Sequence, residues 1–224
     1  KNWLILSASN WNDLQVSNHF ISQELANQAN NVYYVESPGV IGLNLERVIR
    51  ILINFFFNSI FRKKNKNLTA SINHHYDSNL EIIKKFPLPL LGLPIIDNLI
   101  FLIFKKKKSK IYSLINKADF ILVCSPIWIK FIRYFRDNKN NFYKTKIFYH
   151  LVDDVESYQH LKFYFGKFKY FLSKIDGIIS PNQKLLIKYS VFNQKSYLVQ
   201  HGFKKILEES IYKKENLQRE KFIV

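Results

Sequence analysis

The sequence predicts an α/β fold, a doubly wound parallel sheet with helices on both faces, and three observations carry that expectation. Short runs rich in Ile, Val, Leu, Phe and Tyr alternate with longer stretches of helical spacing. Most of the apolar runs exit into Ser, Asp, Asn, Pro or Gly. No internal repeat or Gly/Ser linker interrupts the alternation over 224 residues, of which 47% are hydrophobic and 16% aromatic, enough for a proper core.

Residues 3–8 are the first expected strand, followed by a polar loop over 9–13 and a helix over about 16–29. Residues 32–36 form the second strand, closed by Ser37-Pro38-Gly39, so the chain opens with a βαβ unit. An apolar helix over 49–61, a polar loop over 65–79 and a strand over 80–86, ended by Pro87 and Pro89, come next. A long helix over 97–116 leads to a strand over 120–124, with Ser125-Pro126 at its exit, and then to a helix over 127–136 bearing Trp128, Phe131 and Phe135. A strand over 147–152, a helix over 159–173, a strand over 177–180, a helix over 183–189 and a strand over 196–200 follow, the last closed by His201-Gly202. Strands separated by helices are expected to pair in parallel.

Charge is lopsided, with 34 Lys plus Arg against 17 Asp plus Glu, a formal net charge of +17. Such a chain attracts polyanions: acidic lipid, nucleic acid or phosphorylated substrates. The cations cluster as Arg62-Lys63-Lys64 and Lys105–Lys108, each just after an apolar stretch. That composition suits an anionic membrane surface, and equally a core-facing helix with a solvated basic end. Neither apolar stretch reaches the ~18–20 residues that span a bilayer, so association is expected to be peripheral. Helix-turn-helix, zinc and RNA-binding signatures are missing, which argues against a nucleic-acid partner. No secretory signal is expected from the opening residues, and the one cysteine, Cys124, lies in an apolar run. A reducing, cytoplasmic compartment is therefore expected, at most at the inner face of the plasma membrane. The start at Lys1 and the absence of Met predict a fragment or a trimmed chain.

The most informative stretch is 146–158, KIFYHLVDDVESY, where an apolar run ends in His150, then Asp153 and Asp154, before a helical pattern. In open parallel sheets ligands bind beyond the carboxyl ends of the strands, so these carboxylates are candidate catalytic groups. Either one serves equally well as a helix cap. Ser9, Asn10 and Trp11 leave the first strand at the same edge, Ser125 leaves the fourth, and His201 and Gly202 leave the last. Ser9, Asn10, Asp153, Asp154 and His201 are expected to converge on one cleft. His19 sits on the first helix as a weaker candidate, and alternation turns His150 into the core or the neighbouring layer. His74-His75 lack a ligand-spaced partner, so no metal site is expected.

Four segments resemble one known family: WNDLQVSNHF (11–20), VYYVESPG (32–39), YHLVDDVESY (149–158), and DGIISPNQKLL (176–186) with YLVQHGF (197–203). In that order they are similar to the N-terminal half of group 1 glycosyltransferases of the GT-B fold, of the teichuronic acid, capsule and exopolysaccharide subgroup. His150 stands where the subgroup carries Asp, and His201-Gly202-Phe203 departs from its Asn-Gly-Val-Asp. The resemblance implies a Rossmann-like acceptor-side domain over 1–203, with 204–224 a linker and the start of a second, nucleotide-sugar-binding domain. It also implies a nucleotide-sugar donor as co-substrate, a saccharide or lipid-linked acceptor, and no cofactor or metal. The family's Glu-x7-Glu motif belongs beyond Val224. A non-catalytic, membrane-associated partner subunit is the rival expectation, since fold does not fix function.

Overall fold

A computed structural model describes residues 1–38, 79–84, 105–129 and 144–199, with the single positions Arg50, Ile53, Asp97 and Ile132. Seven strands form one sheet: β1 Asn2–Leu6, β2 Asn31–Val35, β3 Leu80–Ile83, β4 Phe120–Val123, β5 Lys146–His150, β6 Gly177–Ser180 and β7 Ser196–Leu198. Their order is β3-β2-β1-β4-β5-β6-β7, and every pairing is parallel. The described α-helices are α1 Ser17–Asn27, α2 Lys105–Lys117, α3 Phe165–Leu172 and α4 Gln183–Ser190. This is a doubly wound, Rossmann-like sheet whose strand order reverses between β1 and β4.

Strand alternation sorts the side chains into two layers. Leu4, Leu6, Ile121, Val123, Ile147 and Ile178 pack with the apolar faces of α2, α3 and α4. Ile5, Val32, Tyr34 and Leu122 pack on the other face, where Ile21, Leu25 and Ala26 of α1 cover them. Leu4, Ile5 and Leu6 are all fully buried, each contributing about 1.5–3 kcal/mol through the apolar area removed from water. Where β6 meets β7, a side chain on Gly177 would stand 2.8 Å from the Tyr197 ring and 2.9 Å from the Lys195 carbonyl oxygen, so only glycine fits. No helix among the described residues is long and apolar enough to cross a membrane.

Helix ends follow local chemistry. Asn182 caps α4, its Oδ1 accepting from the backbone N–H of Lys184 and Leu185. Asn193 donates to the carbonyls of Leu172 and Ile175 and so satisfies the end of α3. α1 closes in a Schellman motif, with Asn30 N–H bonded to the Leu25 carbonyl and Ala29 N–H to that of Ala26. Ala29 takes φ 58°, the left-handed position that glycine usually fills.

Several boundaries differ from the sequence expectation. β1 ends at Leu6 and β5 at His150, two residues early in each case, although Ser7 N–H and Leu151 N–H still bond the Val35 and Ile179 carbonyls of the neighbouring strands. The helix expected over 16–29 is shorter, bounded by extended Val16 and by Ala29. The helix expected over 159–173 starts as a 3-10 segment, Gln159–Tyr164, with no side-chain cap at Tyr158, and becomes α only at α3. Residues Pro126–Trp128 likewise form a 3-10 turn opening the helix expected over 127–136. Most of the helix expected over 49–61, the loop over 65–79, the basic cluster at Arg62–Lys64 and the segment 204–224 lie outside the described residues.

Candidate functional site

The carboxyl ends of β1 and β4 diverge where the strand order reverses, and ligands of open α/β sheets bind at such a point. A cleft of about 410 Å³ lies there. Its walls are the loop after β1 (Ala8, Ser9), the start of α1 (Ser17, Asn18), Ser37 after β2, Cys124 and Ser125 after β4, and the end of β5 with the loop beyond it (His150, Asp153, Tyr158).

Neutral, buried hydrogen bonds hold the β1 wall. The Tyr34 hydroxyl on β2 lies 2.6 Å from Ser7 Oγ and 3.0 Å from Ser9 Oγ, and Ser9 N–H donates to Ser7 Oγ. Burial pushes the Tyr34 hydroxyl up to about 12, so it stays a protonated partner. Behind it, His19 Nδ1 accepts from the Val16 N–H, which leaves Nε2 protonated and donating to the Asn10 carbonyl at 3.0 Å. Trp11 packs across both rings, edge-on to Tyr34 at 4.8 Å and tilted to His19 at 5.1 Å. The Trp11 backbone N–H donates to the carboxylate of buried Glu36, which Lys84 approaches at 3.7 Å.

The last residue of β5 ties this wall to the opposite one. His150 Nδ1 bonds Asn18 Oδ1 at 3.0 Å, and Asn18 Nδ2 donates to Ser7 Oγ at 3.4 Å. With Asn18 Oδ1 accepting, Nδ1 of His150 carries a proton. Trp128 Nε1–H reaches the Ser7 carbonyl at 2.7 Å and closes the floor. Cys124 is half-buried at the cleft, and desolvation raises its pKa, so it remains a neutral thiol.

The loop after β5 separates the two adjacent aspartates. Asp153 belongs to the cleft lining and accepts from the Tyr158 hydroxyl at 2.7 Å. Burial first, and then this bond, push that phenol up to about 12. Asp154 turns to the outer side and accepts from Lys188 Nζ at 2.8 Å, the Tyr189 hydroxyl at 2.7 Å and the Glu156 N–H at 3.2 Å. The Lys188 hydrogen bond is the largest influence holding its carboxyl below the usual range. Glu156 pairs with Lys188 at 2.8 Å and Lys169 at 3.1 Å, and is lowered for the same reason.

Of the residues singled out from sequence, Ser9, Ser125 and Asp153 line the cleft together. Trp11 and His19 lie buried behind its wall, and Asn10 is tied to Asp13 through its N–H and Nδ2. Asp154 serves as cap and ion-pair anchor. His201, Gly202, His74 and His75 lie outside the described residues. Among the described residues no group of three or more His, Cys, Asp or Glu could hold a metal ion. Sequence reasoning missed Asn18, Ser37 and Tyr158 as cleft groups. The signal that could have found Asn18 is its place as second residue of a helix that starts at the sheet's carboxyl edge.

No protein-family model matches this chain, and no curated protein matches it. Among solved structures, a crystal structure of TcCGT1 in complex with UDP aligns with 92% of this chain and 54% of its own, at 12% identity and a TM-score of 0.43. The chain thus spans about half the length of that structure.

Proposed function

We propose that this chain is the acceptor-side domain of a glycosyltransferase, which passes a sugar from a nucleotide-sugar donor to a saccharide or lipid-linked acceptor in cell-surface polysaccharide synthesis. The observation that carries the reading is the convergence of Ser9, Ser125, Asn18, His150 and Asp153 on one cleft at the switch point of the sheet. Hydroxyl, amide, imidazole and carboxylate groups in one concave site suit a ligand rich in hydroxyls. The four-segment resemblance points the same way.

Sugar transfer passes through an oxocarbenium-like state, so an acceptor hydroxyl must be held in line while its proton is accommodated. Asp153, fixed by Tyr158, is the group assigned to orient that hydroxyl. Ser9 and Ser125 supply neutral hydrogen bonds on the facing walls. The donor diphosphate is assigned to a second domain, and the basic start of α2, Lys105–Lys108, to an anionic membrane face at the cytoplasmic side.

The test is sugar transfer from a panel of nucleotide-sugars to saccharide and lipid-linked acceptors by the full-length protein. Nucleotide release that needs both donor and acceptor is the expected result. Tight donor binding with no transfer to any acceptor class would instead support a non-catalytic subunit.

A further inference from the structure

We propose that the cleft selects uncharged saccharide rings and rejects anionic ones, with Asp153 as the residue that sets this specificity; the inference rests on the glycosyltransferase reading. Its basis is the contrast between the chain as a whole and the cleft itself. The protein carries +17, yet no Lys or Arg is among the described residues that line the cleft. Asp153 supplies a carboxylate there, braced by the Tyr158 hydroxyl at 2.7 Å. Lys188 does not offset it from within the loop, because its ammonium is held between Asp154 and Glu156 at 2.8 Å from each.

Around this carboxylate the polar lining is of hydroxyl and amide groups with the imidazole of His150. Ser9 and Ser125 offer hydroxyl groups that bond a sugar hydroxyl in either sense. Val152, Val155 and Leu161 add apolar surface for the C–H face of a ring. A neutral pyranose matches both features: its hydroxyls donate to the free lone pairs of Asp153 and its carbons lie on the aliphatic wall. A uronic acid or a phosphosugar would bring a second anion against Asp153, and like charges set side by side in a binding site repel.

Long-range attraction by a +17 protein favours anionic ligands, so a preference for neutral sugars has to arise locally. Calorimetric titration of the protein with matched glycosides tests this: methyl glucoside against methyl glucuronoside, and methyl galactoside against methyl galacturonoside. We expect the neutral member of a binding pair to bind at least roughly tenfold tighter than its uronate, and Asp153→Asn to shrink that ratio to within about threefold. Tighter binding of the uronate, or an unchanged ratio in Asp153→Asn, overturns the inference while leaving a saccharide site in place. Failure of every glycoside of either charge to bind overturns the underlying reading and this inference with it.

Discussion

The wall after β1 is held mainly by neutral groups that solvent does not reach, and the wall after β5 by charges that it does. Ser7, His19 and Tyr34 are fully buried, whereas Asp154, Glu156 and Lys188 are 36, 38 and 40% exposed. Buried neutral hydrogen bonds are indifferent to salt, and each one broken leaves a desolvated partner behind. Exposed ion pairs are screened and individually weak. The cleft therefore has a fixed side and an adjustable side, joined through the bond between His150 and Asn18.

The largest expected effect is on the fixed side. Tyr34→Phe removes the hydroxyl shared by Ser7, Ser9 and His19, and should destabilise the protein by about 1–2 kcal/mol, or roughly 3–6 °C in Tm. Thermal melts at low and high salt should give the same loss; a loss that disappears in salt would erase the contrast between the walls.

A smaller effect of opposite sign is expected where α1, the helix that carries Asn18 and His19, ends. Ala29→Gly relieves the left-handed conformation at φ 58°, and should stabilise by about 0.5–1 kcal/mol after the greater freedom of unfolded glycine is counted. A lower denaturation midpoint for the variant would show that the motif tolerates alanine without strain.

The smallest effect belongs to the adjustable side. Asp154→Asn should destabilise by about 0.5 kcal/mol at low ionic strength and by less in high salt. Because the folded-state pKa of Asp154 lies below its ordinary value, its contribution is complete above roughly pH 4 and is lost as pH falls through the lowered value. Below that range wild type and variant should melt alike. A difference that persists in acid would mean that the ion pairs are not what anchors this loop.

Much of the sheet was legible because strand chemistry is local: Gly177–Ser180 emerged with the expected bounds, and the parallel alternation followed from the helices between strands. The split between Asp153 and Asp154 was not legible. Both follow β5, and the difference is made by Lys188 and Tyr189, 34 and 35 residues downstream of Asp154 on α4. His150 was expected in the core or the neighbouring layer, and its partner Asn18, 132 residues away, was not readable. Trp11 and His19 looked like site residues because they stand near the exit of β1. Their burial against Tyr34 depends on how α1 lies across the sheet, which periodicity alone does not fix.

The most direct measurement compares turnover and Tm for Asp153→Asn and Asp154→Asn in donor-dependent sugar transfer by the full-length protein. A cleft-facing carboxylate that orients the acceptor predicts at least a roughly 100-fold fall in kcat for Asp153→Asn with Tm unchanged, while Asp154→Asn keeps most of its turnover and melts slightly lower. Full turnover in Asp153→Asn would contradict the account.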